Sequence, residues 1–97
     1  MNLSEIINQE GATLIDVREP YEYESKHADG ALNIPLGSIP YRVEEITQLS
    51  SPIIIYCASG NRSNQAFNYL VSKGLENVYD GGGLFEILNA QHLNKIH

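Results

Sequence analysis

Pro52-Ile53-Ile54-Ile55-Tyr56-Cys57-Ala58-Ser59-Gly60-Asn61-Arg62-Ser63 is the stretch whose reading decides the fold. Its first half is apolar and β-branched and predicts a buried strand. From Ser63 to Lys73 a helix is expected, with Ala66, Phe67, Leu70 and Val71 on one face and Gly74 just past its end. Cys57, the single cysteine, stands where the strand meets the loop that runs to Arg62. A thiol there faces unpaired backbone N–H groups and the positive end of a helix dipole. Both favour the thiolate, which is the nucleophilic form. Both also cradle an anion. One site could thus ionise a sulfur and hold an anionic substrate, provided the side chain is open to solvent and the amides point at it.

Working outward, Ser4 is expected to cap a short first helix whose apolar face is Leu3, Ile6 and Ile7, with Gly11 ending it. Thr13 to Val17 reads as a strand. Arg18 to Lys26 is rich in charge and tyrosine, with Pro20 suited to the first turn of a short helix. Asp29-Gly30 signals a turn, and Ala31 to Ile34 a short strand stopped by Pro35. A helix from about Ser38 or Pro40 would turn Tyr41, Val43, Ile46 and Leu49 inward before Ser50-Ser51-Pro52 breaks it. On the far side, Val78-Tyr79 reads as a last short strand, Gly81-Gly82-Gly83 as a flexible turn, and Leu84 to about Leu93 as a helix. Strands alternating with helices predict an α/β fold: a central, mostly parallel sheet of four or five strands with helices on both faces. Ligands bind such sheets at the carboxyl ends of the strands. Cys57, Asp16 to Arg18 and the triple glycine are expected to meet there.

Bulk properties narrow the function. Ninety-seven residues suit one domain, 1–97, and an apolar content of 42% suffices for its core. A formal net charge of −6 with only six Lys plus Arg argues against nucleic acid and against anionic membranes. An anionic substrate would be repelled at long range, so loop amides and Arg62 must prevail locally. The first residues lack a basic region and a long apolar run, so no secretory signal is expected. No apolar stretch reaches membrane-spanning length. One cysteine cannot form an internal disulfide, and a reducing cytoplasm is the expected compartment.

Two segments resemble the rhodanese-like single-domain sulfurtransferases. The first is Leu14-Ile15-Asp16-Val17-Arg18-Glu19-Pro20-Tyr21-Glu22-Tyr23, continuing through His27-Ala28-Asp29-Gly30-Ala31-Leu32-Asn33-Ile34-Pro35-Leu36. It is similar to the family's Asp-Val-Arg turn, Glu-aromatic pair, His, Gly-Ala and Asn-Ile-Pro. The second, Tyr56-Cys57-Ala58-Ser59-Gly60-Asn61-Arg62-Ser63, resembles the family's Cys-x-x-Gly-x-Arg-Ser loop. With Gly81-Gly82-Gly83 these extend over nearly the whole chain in the family's order. The resemblance implies sulfane-sulfur transfer: the Cys57 thiolate takes sulfur from a donor such as thiosulfate and passes it on from a persulfide. Partners would be a small, thiosulfate-like anion and a thiol, cyanide or protein acceptor. Two departures are Ala28, where the family often has Ile, and Leu84, where it often has an aromatic; both read as packing differences.

Within that reading Cys57 is the nucleophile. Ala58, Ser59, Gly60, Asn61, Arg62 and Ser63 form the substrate cradle, whose amides would also hold a persulfide's negative terminal sulfur. Gly60 supplies close approach or a positive φ, and one of Ser59, Asn61 and Ser63 caps the helix. Asp16 and Arg18 lie near the cleft or support it as an ion pair. His27, His92 and His97 have no ligand spacing with one another or with Cys57, so no metal or cofactor is expected. Three rivals remain. A cysteine phosphatase or arsenate reductase would place five residues between Cys and Arg, whereas Cys57 and Arg62 enclose four, a narrower cradle. A non-catalytic rhodanese-like binding module would have no need of Cys57. A sulfur carrier with a protein acceptor would share every feature. The loop's lack of basic residues at Ala58 and Ser59 suggests weak thiosulfate activity.

Overall fold

Four strands, β1 (Thr13–Asp16), β2 (Leu32–Asn33), β3 (Ile53–Cys57) and β4 (Val78–Gly83), form a sheet in the order β2-β1-β3-β4 with every pairing parallel. The computed structural model describes residues 2–95, of 94 and 95 the backbone only. Every residue of β3 is buried, which is why it reads as an unbroken apolar run rather than an alternating one.

Because successive side chains leave a strand on opposite faces, β3 feeds two cores. Ile53, Ile55 and Cys57, joined by Ile15 and Val17, pack against Ile39, Ile46, Ala66 and Leu70. These partners lie on a 3-10 helix (Leu36–Tyr41), on α3 (Val43–Thr47) and on α4 (Asn61–Ser72). Ile54 and Tyr56, with Leu14, pack against Ile6, Ile7, Leu84, Ile87 and Ala90. Those come from α1 (Leu3–Ile7) and α5 (Leu84–Lys95), with α2 being Pro20–Ser25. Fully burying one such isoleucine contributes roughly 1.5–3 kcal/mol, so the two-sided core anchors β3 firmly. The site hangs from its last residue.

Local chemistry explains most of the elements and corrects four expectations. The cap of α1 is Asn2, whose side chain accepts from the Glu5 N–H at 2.9 Å, and not Ser4. Glu19 caps α2 in a reciprocal box with Glu22, ahead of Pro20. Tyr41 does not turn inward: the segment begins as a 3-10 helix and leaves it 89% exposed. Val71 is 46% exposed, because Ala66 and Leu70 suffice to seat α4. The triple glycine is no flexible turn; it is the second half of β4 and runs straight into α5. A Cβ on Gly81 would stand 2.8 Å from methyl carbons of both Ile54 and Ile87. Such packing admits only glycine. Ala28 and Leu84, the two departures, are both buried in the second core.

Candidate active site

Gly60 makes the loop possible. It precedes α4 with φ +102°, a conformation costly for other residues, and this turns its N–H onto Cys57 Sγ at 3.0 Å. Ser63 follows in the first turn of α4, fully buried, with Oγ 3.6 Å from Sγ. Burial pushes the Cys57 thiol up, but the N–H and hydroxyl of Ser63, together with the Gly60 and Ser59 amides, prevail and bring it below its ordinary value. Main-chain donors therefore converge on one sulfur.

That sulfur is not open to solvent, contrary to the expectation for a nucleophile. Cys57 is 1% exposed. As the last residue of the central strand it points toward α4, and the loop closes back onto it through the Gly60 N–H. Exposed residues surround this buried point: Ala58, Ser59 and Asn61 all face solvent.

Arg62 does not stand free beside the sulfur. Its guanidinium grips Glu22 of α2 with two bonds, Nη1 to Oε1 at 2.7 Å and Nη2 to Oε2 at 3.1 Å. Those bonds, against the opposing effect of burial, hold the Glu22 carboxyl down at about 2. Glu22 and the Cys57 thiolate both raise the Arg62 pKa, so the three groups form one electrostatic set.

Asp80 is a participant that residue patterns did not single out. Ser63 Oγ lies 2.8 Å from Asp80 Oδ1, 3.1 Å from Gly60 O and 3.3 Å from Gly82 O. A hydroxyl has one proton to give, so the Asp80 carboxylate and the Cys57 sulfur compete for it. Asp80 Oδ1 also accepts the Gly82 N–H at 3.1 Å. The available signal was an acid placed directly before three glycines at a strand's end. Gly83 is paired with Cys57 across the sheet, and a Cβ there would stand 2.5 Å from Ala58 O. The glycines are the floor of the loop.

Asp16 and Arg18 lie elsewhere. Asp16 shares the Leu14 face of β1, and Arg18 sits over the Tyr56 ring at 5.9 Å, so both occupy the side of the sheet away from Sγ. Their carboxylate and guanidinium meet at 2.7 Å, both buried, and Arg18 Nη2 also donates to Lys26 O at 2.6 Å. His27 stacks on Tyr23 with ring centroids 3.8 Å apart. Among the described residues no three His, Cys, Asp or Glu side chains gather as a metal site, and His97 lies outside them. Among the same residues, no helix is long and apolar enough to cross a membrane.

A parallel α/β sheet that carries a cysteine loop between its central strand and the following helix defines a class of fold and site. The chain belongs to the rhodanese-like domain family, whose model matches residues 2–90. It is 34% identical over 84 residues to a thiosulfate sulfurtransferase GlpE of Pseudomonas syringae, covering 87% of this chain and 78% of that protein. It is 41% identical over 75 residues to the uncharacterized protein YqhL of Bacillus subtilis, covering 77% of this chain and 59% of that one. Among solved structures, a rhodanese with anions from E. coli matches at TM-score 0.70 and 34% identity, over 78% of this chain and 91% of the other.

Proposed function

We propose that this chain is a rhodanese-type sulfurtransferase that moves sulfane sulfur from a donor such as thiosulfate to a thiophilic acceptor through a persulfide on Cys57. Residues 1–97 act as one domain, in a reducing compartment such as the cytoplasm. One observation carries the reading: the Gly60 N–H lies 3.0 Å from Sγ, within a set of donors that lowers the thiol pKa despite burial. The thiolate attacks the outer sulfur of the donor, whose S–S bond breaks with its electron pair leaving on the remainder; for thiosulfate the remainder is sulfite. The same amides then face the persulfide's terminal sulfur, which bears the charge they hold. Ala58, Ser59, Gly60, Asn61, Arg62 and Ser63 form the cradle, and Asp16 with Arg18 supports the strand beside it. Because Cys57 is 1% exposed, transfer requires the solvent-facing residues Ala58, Ser59 and Asn61 to move aside.

The burial of Cys57 favours a second reading, a rhodanese-like module that binds a protein partner without transferring sulfur. Intact-mass spectrometry after incubation with thiosulfate separates the two. Transfer predicts a gain of one sulfur that dithiothreitol removes and that Cys57→Ser abolishes. An unmodified wild-type mass after incubation with thiosulfate and with an organic persulfide would falsify transfer.

A further inference from the structure

Of the six loop residues Cys57 to Arg62, only Arg62 is charged. Its charge is already compensated by Glu22 through both terminal nitrogens. Two more carboxylates border the loop. Asp80 stands behind Ser63. Glu86 Oε2 comes to 2.9 Å from where a Cβ on Gly83 would sit, and Gly83 is the sheet partner of Cys57. Three carboxylates thus border a loop whose one full cation is already paired, in a chain whose formal net charge is −6.

Backbone amides carry partial charges suited to one anionic sulfur, while a dianion calls for full cations. We infer that Glu22 is a specificity-determining residue: by holding Arg62 it sets the site for sulfur donors of low charge, organic persulfides on a small or protein thiol, in preference to dianionic thiosulfate. This rests on the sulfur-transfer reading and narrows its donor. The step balances without an added oxidant. The Cys57 thiolate attacks the outer sulfur of R–S–S–H, a new S–S bond forms, the donor's S–S bond breaks, the electron pair leaves on R–S⁻, and the proton passes to that more basic thiolate, leaving the transferred sulfur anionic among the amides. No sulfite-like dianion has to depart past the carboxylates.

The test measures rates of sulfur loading onto Cys57, by mass, with thiosulfate and with cysteine persulfide, in wild type and Glu22→Gln. Freeing Arg62 should raise the thiosulfate rate about tenfold and leave the persulfide rate within about threefold, so the ratio of the two moves. Wild-type loading by thiosulfate should quicken as salt screens the carboxylates. A second variant, Glu86→Gln, should shift the ratio in the same direction by about twofold, and it decides the matter if Glu22→Gln does not fold. The inference is overturned if the ratio is unmoved, if both rates fall together as for a purely structural residue, or if salt slows thiosulfate loading. Failure of both donors to load wild-type Cys57 removes the sulfur-transfer reading itself, and this inference with it.

Discussion

The two faces of the sheet each bury ionisable groups, and they do so in opposite ways. On the α5 face, Asp16 and Arg18 neutralise one another at 2.7 Å and Arg18 is held further by the Lys26 carbonyl. On the α4 face, Cys57 is held instead by neutral dipoles from Ser63, Gly60 and Ser59 that converge on it. A paired charge is locked, since removing either partner strands the other in a poor solvent. A dipole-held thiol is ready to change state, because the donors serve a thiolate and a persulfide alike. One strand, β3, separates the two designs by a single residue: Tyr56 faces the locked pair and Cys57 the reactive loop. The lesson is that adjacent positions can take structural and chemical duties simply through the alternation of a strand.

The sharpest way to break this comparison is Asp16→Ala, which leaves Arg18 buried and unpaired. It should cost about 3–5 kcal/mol of stability, read by urea denaturation, while the thiol's alkylation profile in the surviving folded fraction stays in place. A shifted profile would mean that the two faces are coupled. Next, Gly83→Ala should cost about 1–3 kcal/mol and push Ala58 off its position, raising the thiol pKa; an unchanged iodoacetamide rate against pH would remove the glycine floor from the account. Ser63→Ala deletes a hydroxyl donor and should move the alkylation midpoint upward, with the fold intact by circular dichroism. A downward shift would show that Ser63 serves Asp80 rather than the sulfur.

The smallest effect concerns the bridge between Glu22 and Arg62. Glu22 titrates at about 2 in the fold against an ordinary 4.5, so it is a carboxylate whose folded pKa is depressed. Its contribution is fully present above the unfolded value and is lost as pH falls from about 4.5 through 2. Glu22→Gln should therefore flatten the acid side of the stability curve within that window. A curve unchanged there would mean that the pair adds nothing to the folded state.

Much of this was legible in the residue order. Periodicity and β-branching located the central strand and the helix after it. Asp16-Val17-Arg18 and the cysteine loop carried the family resemblance, and the resemblance carried the chemistry. Three features were not legible, each because it depends on residues distant in the chain. Glu22 and Arg62 lie 40 positions apart and meet only through packing of α2 near the start of α4. Asp80 reaches Ser63 because β4 pairs with β3. The triple glycine resembles a loose turn in one dimension, yet Ile54 of β3, Ile87 of α5 and Ala58 of the cysteine loop press on it.

What the order of residues determined alone is the local part: which segments are strands or helices, that one thiol ends the central strand, and that a glycine follows to bend the amides back. These are short-range consequences of side-chain shape and backbone freedom. What only the tertiary structure decided is the state of that thiol, sealed from water and set near a guanidinium already engaged by Glu22. Burial and electrostatic compensation are sums over neighbours from many segments, and no window along the chain contains them.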